Sequence, residues 1–321
     1  DDSRHRSFRR PGERESRYWR DVVDETAARF SYDAPTTKLH FIADREFDAS
    51  LFMRHLIDEG HAFTIRAQGT RKALINGERV DLLRPLYESR VCAAVKLQVP
   101  AGAQRAARTA RLIVRAAKVD MLLRDSATKQ EKVKPLTIVW AYETGTCPRG
   151  ERPIDWMLYT TTNVATAQDA VATVSRYAKR WRIEDFHRTW KRGGCRVEET
   201  QLRSFAAVVK WATILAVVAA RAERLRHLAR TEPDAPATVE LTDGEIEALI
   251  MMKRSRKKKN ELVPDDVPSI AQAVRWIADL GGYVGSKSSG PPGATVIARG
   301  LERVRMWEDL LVVARESGKL R

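Results

Sequence analysis

Four side chains in the stretch YAKRWRIEDFHRTWK differ in chemistry and recur at helical spacing: Tyr177, Arg180, Glu184 and Lys191. On one continuous helix, at about 100° per residue, they fall at about 0°, 300°, 340° and 320°, inside an arc of about 60° and along about 21 Å of axis. A single carboxylate among cations suits phosphodiester chemistry, in which an acid holds a divalent metal ion and flanking donors fix the phosphates on either side. The same residues also fit a solvated face on which Glu184 pairs with Arg180 and Arg188. His187 sits on a different face from Glu184, and Trp181 and Trp190 read as core aromatics.

The rest of the chain favours a polyanionic partner. It has 321 residues, 43% of them hydrophobic, and a formal net charge of +15, which describes a folded protein with a positive surface and not a basic tail. The longest apolar run, residues 212 to 220, is Ala-rich and far short of the roughly 20 residues of a membrane-spanning helix, so no membrane partner is expected. Three well-separated cysteines, Cys92, Cys147 and Cys195, with no CxxC pair, suit a reducing cytoplasm. The opening DDSRHRSFRRPGERESR has no initiator Met and no apolar signal-peptide core, and reads as a fragment whose natural start lies upstream.

These candidate residues need elements to position them. Residues 12 to 30 read as a helix, LHFIAD (39 to 44) as a short strand ending on an acid, DASLFMRHLIDEG as a helix stopped by Gly60, and AFTIRA as a second strand. Three longer strands within residues 90 to 146 form an inserted β region that divides a core of 1 to 89 and 147 to 230. WMLYTTT is a further strand, and residues 166 to 194 read as one long helix ended by Gly193-Gly194. From about Glu199 the pattern is helical, with residues 231 to 321 as a separate helical domain. There Ile270, Val274 and Ile277, then Leu301, Val304, Leu310 and Leu311, leave apolar faces large enough for self-association.

The spacing Tyr-x2-Arg-x3-Glu-x6-Lys resembles the signature of bacterial cut-and-paste DDE transposases, and its wording is similar to that of the transposon-five type. The resemblance extends to IADRE (42 to 46), PIDWMLYTTTNV (153 to 164), and the C-terminal LTDGEIEALIMMKRSRKKK and IADLGGYVGSK. It implies an RNase H-like α/β mixed-sheet core with an inserted β region and a helical C-terminal domain. It further implies cleavage and transfer of double-stranded DNA at transposon ends, a two-metal Mg²⁺ or Mn²⁺ site, and a homodimer through residues 231 to 321. Asp44 and Glu184 take the place of metal ligands and catalytic acids; Tyr177, Arg180 and Lys191 contact DNA phosphates; Trp156 handles a flipped base; Arg66, with Arg71 and Lys72 beside it, lies near DNA. Strand-end placement supports Asp44, since sites in α/β sheets lie beyond the carboxyl ends of strands. Glu46 and Asp48 remain alternatives, Asp48 also reading as a helix N-cap.

One departure bears on activity. The family's first catalytic Asp lies on a strand upstream of the first helix, and Asp1 and Asp2 follow no strand. The metal site is therefore expected to be incomplete, and two readings follow: a strand-cleaving transposase, or an inactive remnant that binds DNA and dimerises.

Overall fold

The computed structural model describes residues 15–69, 71–99, 106–125, 128–257, 263, 266–285 and 290–318. Asp1, Asp2, the start of the first expected helix and part of the basic run 253 to 260 lie outside the described residues. The chain forms two compact units, residues 1 to 180 and 181 to 321.

The first unit runs α1 (Glu15–Asp33), β1 (His40–Ala43), α2 (Ser50–Asp58), β2 (Ala62–Arg66), β3 (Lys72–Ile75), β4 (Glu78–Asp81), α3 (Leu83–Glu88), β5 (Val91–Val99), β6 (Arg108–Arg124), β7 (Glu131–Glu143), β8 (Asp155–Thr160) and α4 (Ala167–Ala178). β1 and β2 pair in parallel around α2, from His40↔Ala62 to Ala43↔Ile65, giving the expected strand-helix-strand unit. β8 then joins β2 antiparallel and β7 on its other side, producing the mixed sheet β1-β2-β8-β7-β6-β3-β4 with β5 on β6. The strands of residues 90 to 146 are thus inserted in sequence but continuous in hydrogen bonding with the core sheet. The β3–β4 hairpin escaped the sequence reading, although Asn76 and Gly77 both have positive φ, as a two-residue I′ turn requires.

β6 holds this unit together. It pairs with β7 without a register shift from Leu112↔Glu143 to Arg124↔Glu131. Successive side chains alternate between faces, so the even positions Ala110, Leu112 and Val114 enter one core with Val139, Trp156 and the α4 residues Val174 and Tyr177. The odd positions Val119, Met121 and Leu123 enter another core, with Ile138, Tyr159 and the α2 residues Phe52, Met53 and Leu56. The exchange of faces falls at Ala116 and Ala117, where small side chains tolerate partial burial on either side.

The expected single helix over residues 166 to 194 is two. After α4 the amides of Lys179 and Arg180 bond back three residues, to Arg176 and Tyr177, at 3.1 and 3.0 Å, and α5 (Trp181–Lys191) begins anew. No Gly or Pro marks the break. The common arc computed for Tyr177, Arg180, Glu184 and Lys191 assumed an unbroken helix and does not hold.

The second unit continues with α6 (Phe205–Thr231), α7 (Asp243–Ser255), α8 (Ile270–Leu280) and α9 (Ala294–Glu316). α8 and α9 cross at backbone contact: a Cβ on Gly300 would lie 1.8 Å from the Ile277 carbonyl oxygen, and one on Gly281 1.8 Å from that of Val296. The faces expected to mediate self-association are largely internal, since Ile270, Val274, Ile277, Leu301, Val304 and Leu311 all belong to this unit's core; Leu310 remains 57% exposed. By length and composition α6 could cross a membrane, which the run of residues 212 to 220 did not suggest. Leu215, Ala219, Ala222 and Leu225 bury one side of it within the unit.

At the sheet edge the His40 ring nitrogen Nε2 lies 2.8 Å from Thr64 Oγ1, and Thr64 donates to Thr160 Oγ1 at 3.1 Å. Burial, and then the nearby Arg176 charge, lower the His40 pKa to about 4. Between that value and the ordinary 6.5 the unfolded chain binds the proton and the folded one does not. The contribution of neutral His40 is therefore complete above 6.5 and lost as pH falls towards 4. Urea denaturation across this range should show that loss, and His40→Gln should flatten it.

Candidate functional site

Asp44 is the first residue beyond β1. Its Oδ1 accepts the Glu46 amide at 3.0 Å, capping a single 3-10 turn at Arg45–Phe47, and Oδ2 of this half-exposed side chain lies 3.7 Å from Arg180 Nη1. Arg180, just past α4, is mostly buried. The Tyr177 hydroxyl, one turn back on α4, lies within electrostatic reach of the guanidinium groups of Arg180 and of Arg66, the last residue of β2. Arg66 Nη2 in turn donates to the Asp155 carbonyl oxygen at 2.9 Å, at the start of β8. Trp156 follows, its ring edge-on to Tyr177 at 5.0 Å. Burial raises the Tyr177 pKa against the opposing pull of Arg66 and Arg180, so the hydroxyl stays protonated, and burial also lowers that of Arg66.

Five of the seven residues singled out in the sequence thus meet in the first unit. Two of them do so in a different capacity. Tyr177 is 1% exposed and Trp156 5%, so Tyr177 lies beneath the site instead of facing a phosphate, and Trp156 is a core aromatic with no open ring face for a base. The expected N-cap role of Asp48 also fails: Ala49 occupies that position, and the buried Asp48 carboxylate accepts from Arg71 Nε at 2.7 Å and the Gln68 amide at 2.8 Å. Arg71 is consumed there, and Lys72 pairs with Asp81 at 2.8 Å, so both expected phosphate holders already have carboxylate partners.

Glu184 and Lys191 belong to α5 in the second unit, and both are exposed. Of the partners that the solvated-face alternative gives Glu184, Arg180 Nη1 lies 3.7 Å from Asp44 and Arg188 Nη1 meets Asp185 at 3.1 Å, so neither cation is reserved for Glu184. Lys191 Nζ lies 3.7 Å from Glu198. What fixes α5 is a set of contacts that sequence reasoning missed. Arg226 Nη2 bridges Asp185 and Glu223, each at 2.7 Å, Thr189 Oγ1 donates to Glu223 at 3.1 Å, and Trp190 Nε1 donates to the Ala212 carbonyl at 3.0 Å. The side with Asp185 and Thr189 therefore docks on α6, leaving Glu184 and Lys191 outward. Burial raises the Glu223 pKa despite Arg226.

Among the described residues no group of three or more His, Cys, Asp or Glu side chains gathers as a metal cluster. Asp44 and Glu184 nonetheless offer hard carboxylate oxygens, the donors Mg²⁺ and Mn²⁺ prefer, and Mg²⁺ sites commonly use one or two carboxylates with water and substrate phosphate.

Comparison with known families gives two matches. Residues 12–220 match the transposase DDE domain, and residues 217–318 match the transposase Tn5 dimerisation domain.

Tyr177→Phe removes a buried hydroxyl that lies within electrostatic reach of Arg66 and Arg180. The loss should be about 0.5–1.5 kcal/mol, the net value of an ordinary buried polar interaction. Chemical denaturation checks it; a change under about 0.5 kcal/mol would place the hydroxyl outside the network.

Proposed function

The chain belongs to the DDE transposase family, and we propose that it binds double-stranded DNA at transposon ends and cuts and transfers strands there, with Asp44 and Glu184 as catalytic acids. One observation carries the assignment of Asp44: it ends the parallel strand β1 and is held from behind by Arg180, itself within electrostatic reach of Tyr177. An acid so placed keeps its orientation while its side chain remains half-exposed. In the family reaction, water displaces a strand to leave a 3′ hydroxyl, and that hydroxyl attacks the opposite strand or a target. Mg²⁺ or Mn²⁺, held by Asp44 and Glu184, would activate the attacking oxygen and stabilise the leaving one. Lys191 would exchange Glu198 for a DNA phosphate at little cost, because exposed ion pairs contribute only about 0–1 kcal/mol. Arg180 supplies positive charge next to Asp44. Binding is driven by the net charge of +15 and should weaken steeply with salt.

The same reading makes the protein a homodimer. On α9, Met306, Leu310 and Val313 recur at helical spacing with Trp307 beside them, all exposed, on a side turned away from the buried Leu301, Val304 and Leu311. A second functional reading, a DNA-binding and dimerising protein without cleavage, is favoured by the lack of a three-acid cluster among the described residues.

Nicking of supercoiled plasmid in Mn²⁺ or Mg²⁺, measured alongside binding, separates the two. On the catalytic reading the chain nicks, Glu184→Gln and Asp44→Asn bind without nicking, and Lys191→Ala lowers the salt slope by about one. A parent chain that binds but never nicks supports the second reading; Glu184→Gln nicking at the parental rate removes the catalytic one.

For the dimer, Leu310→Glu should convert a dimer to a folded monomer in sedimentation velocity. A parent chain that sediments as a monomer refutes it.

A further inference from the structure

Among the described residues, the exchange of faces along β6 leaves β5 and the first half of β6 without a core on the side away from α4, bordered by α3, whose Tyr87 meets Trp140. Paired residues project to the same side, which places Lys96 opposite Arg111, and Trp140 opposite Arg115, on the face away from α4. Lys96 and Arg111 are exposed; Arg115, Trp140 and Tyr142 are half-buried. The rings of Trp140 and Tyr142, two residues apart on β7, lie 4.3 Å between centroids and 34° from parallel. Tyr87 of α3, 63% exposed, stands edge-on to Trp140 at 5.3 Å. Trp140 Nε1 donates to Asp155 Oδ1 at 2.7 Å, which locks the indole and engages the acid on this face.

We propose that this face binds unpaired nucleotides of DNA, with bases stacked on Trp140, Tyr142 and Tyr87 and phosphates on Lys96 and Arg111; Arg115, half-buried, donates to the Ser89 carbonyl. Aromatic rings interleaved with cations at strand spacing match a single strand, whose bases have free faces; in a duplex those faces are occupied by neighbouring base pairs. Trp140 packs in part against the core on the α2 side, but Tyr142 and Tyr87 belong to neither of this unit's cores, and the hydrophobic side of β5 and the first half of β6 is the opposite one, with Val95, Leu112 and Val114. The charges complement the phosphates, and the choice of DNA over RNA rests on the family reading above. The buried Trp156 offers no such surface.

The test uses the full chain with fluorescein-labelled oligo(dT) of about 15 nucleotides, a duplex of the same length, and oligo(U) RNA, followed by fluorescence anisotropy. Tyr142→Ala should weaken oligo(dT) binding about 5- to 100-fold, the range for losing one stacked base, while duplex affinity stays within about two-fold and Tyr142→Phe restores the parental value. Arg111→Ala should lower the salt slope by about one. Photo-crosslinking of the unsubstituted chain to 5-iododeoxyuridine DNA should map to Trp140, Tyr142 or Tyr87, a readout that needs no variant to fold. The proposal falls if Tyr142→Ala binds oligo(dT) like the parent, if the adducts map elsewhere, or if oligo(U) binds more tightly than oligo(dT). Binding of duplex without oligo(dT) overturns this inference and leaves the functional reading intact; binding of neither overturns both.

Discussion

Two guanidinium groups, those of Arg66 and Arg180, lie within electrostatic reach of one buried phenol at Tyr177, and the first unit's site is arranged around them. Arg66 and Arg180 both lose water on burial, and a guanidinium has donors only, so acceptors within the protein decide where they go. Arg66 Nη2 donates to the Asp155 carbonyl at the start of β8, and Arg180 Nη1 lies 3.7 Å from the Asp44 carboxylate beyond β1. These contacts tie the ends of β1, β2, β8 and α4 to one another, with Trp156 packed edge-on to Tyr177. A carboxylate at a strand end would otherwise hold several rotamers; here its partner is itself held. The signature residues thus divide by depth, with Tyr177 and Arg66 as foundation and Asp44, Glu184 and Lys191 towards solvent.

Much of the scaffold is legible in the sequence because it rests on local periodicity. LHFIAD and AFTIRA are apolar runs bounded by polar residues, DASLFMRHLIDEG has helical spacing before Gly60, and the three long strands alternate. What sequence does not show is which side of an alternating strand is buried. Along β6 both sides alternate equally well, and only the positions of α2 and α4 decide that Leu112 and Met121 enter different cores. The helix break at Lys179-Arg180 was hidden for a related reason, since helix-forming residues on both sides leave no local signal and the break coincides with the tertiary contact of Arg180 with Asp44.

The site was legible as a set of residue types and only partly as roles. Asp44, Arg66, Tyr177 and Arg180 were singled out together and do meet, yet a Tyr at helical spacing looks the same whether its hydroxyl faces phosphate or a buried guanidinium. Trp156 opens an apolar strand, and burial followed from its pairing with Ala141 on the α4 side. Asp185 had no distinguishing mark beside Glu184, although it is the acid that docks α5 on α6. Adjacent acids on a helix point about 100° apart, so one can dock while the other stays in solvent.

The unbroken register of β6 sets a rule about length. Two cores sit on opposite faces of one strand, joined through Ala116 and Ala117, and every pairing with β7 conserves the same offset. Substitution within the strand perturbs one core at a time. Inserting or deleting one residue near its middle reverses the parity of everything beyond it, turning Val119, Met121 and Leu123 outward while Lys118 and Asp120 turn in. No local relaxation repairs that reversal short of a compensating bulge. The strand therefore behaves as a fixed-length gauge: variation in chain length is confined to its hairpin ends, and its middle can change in composition but not in residue count.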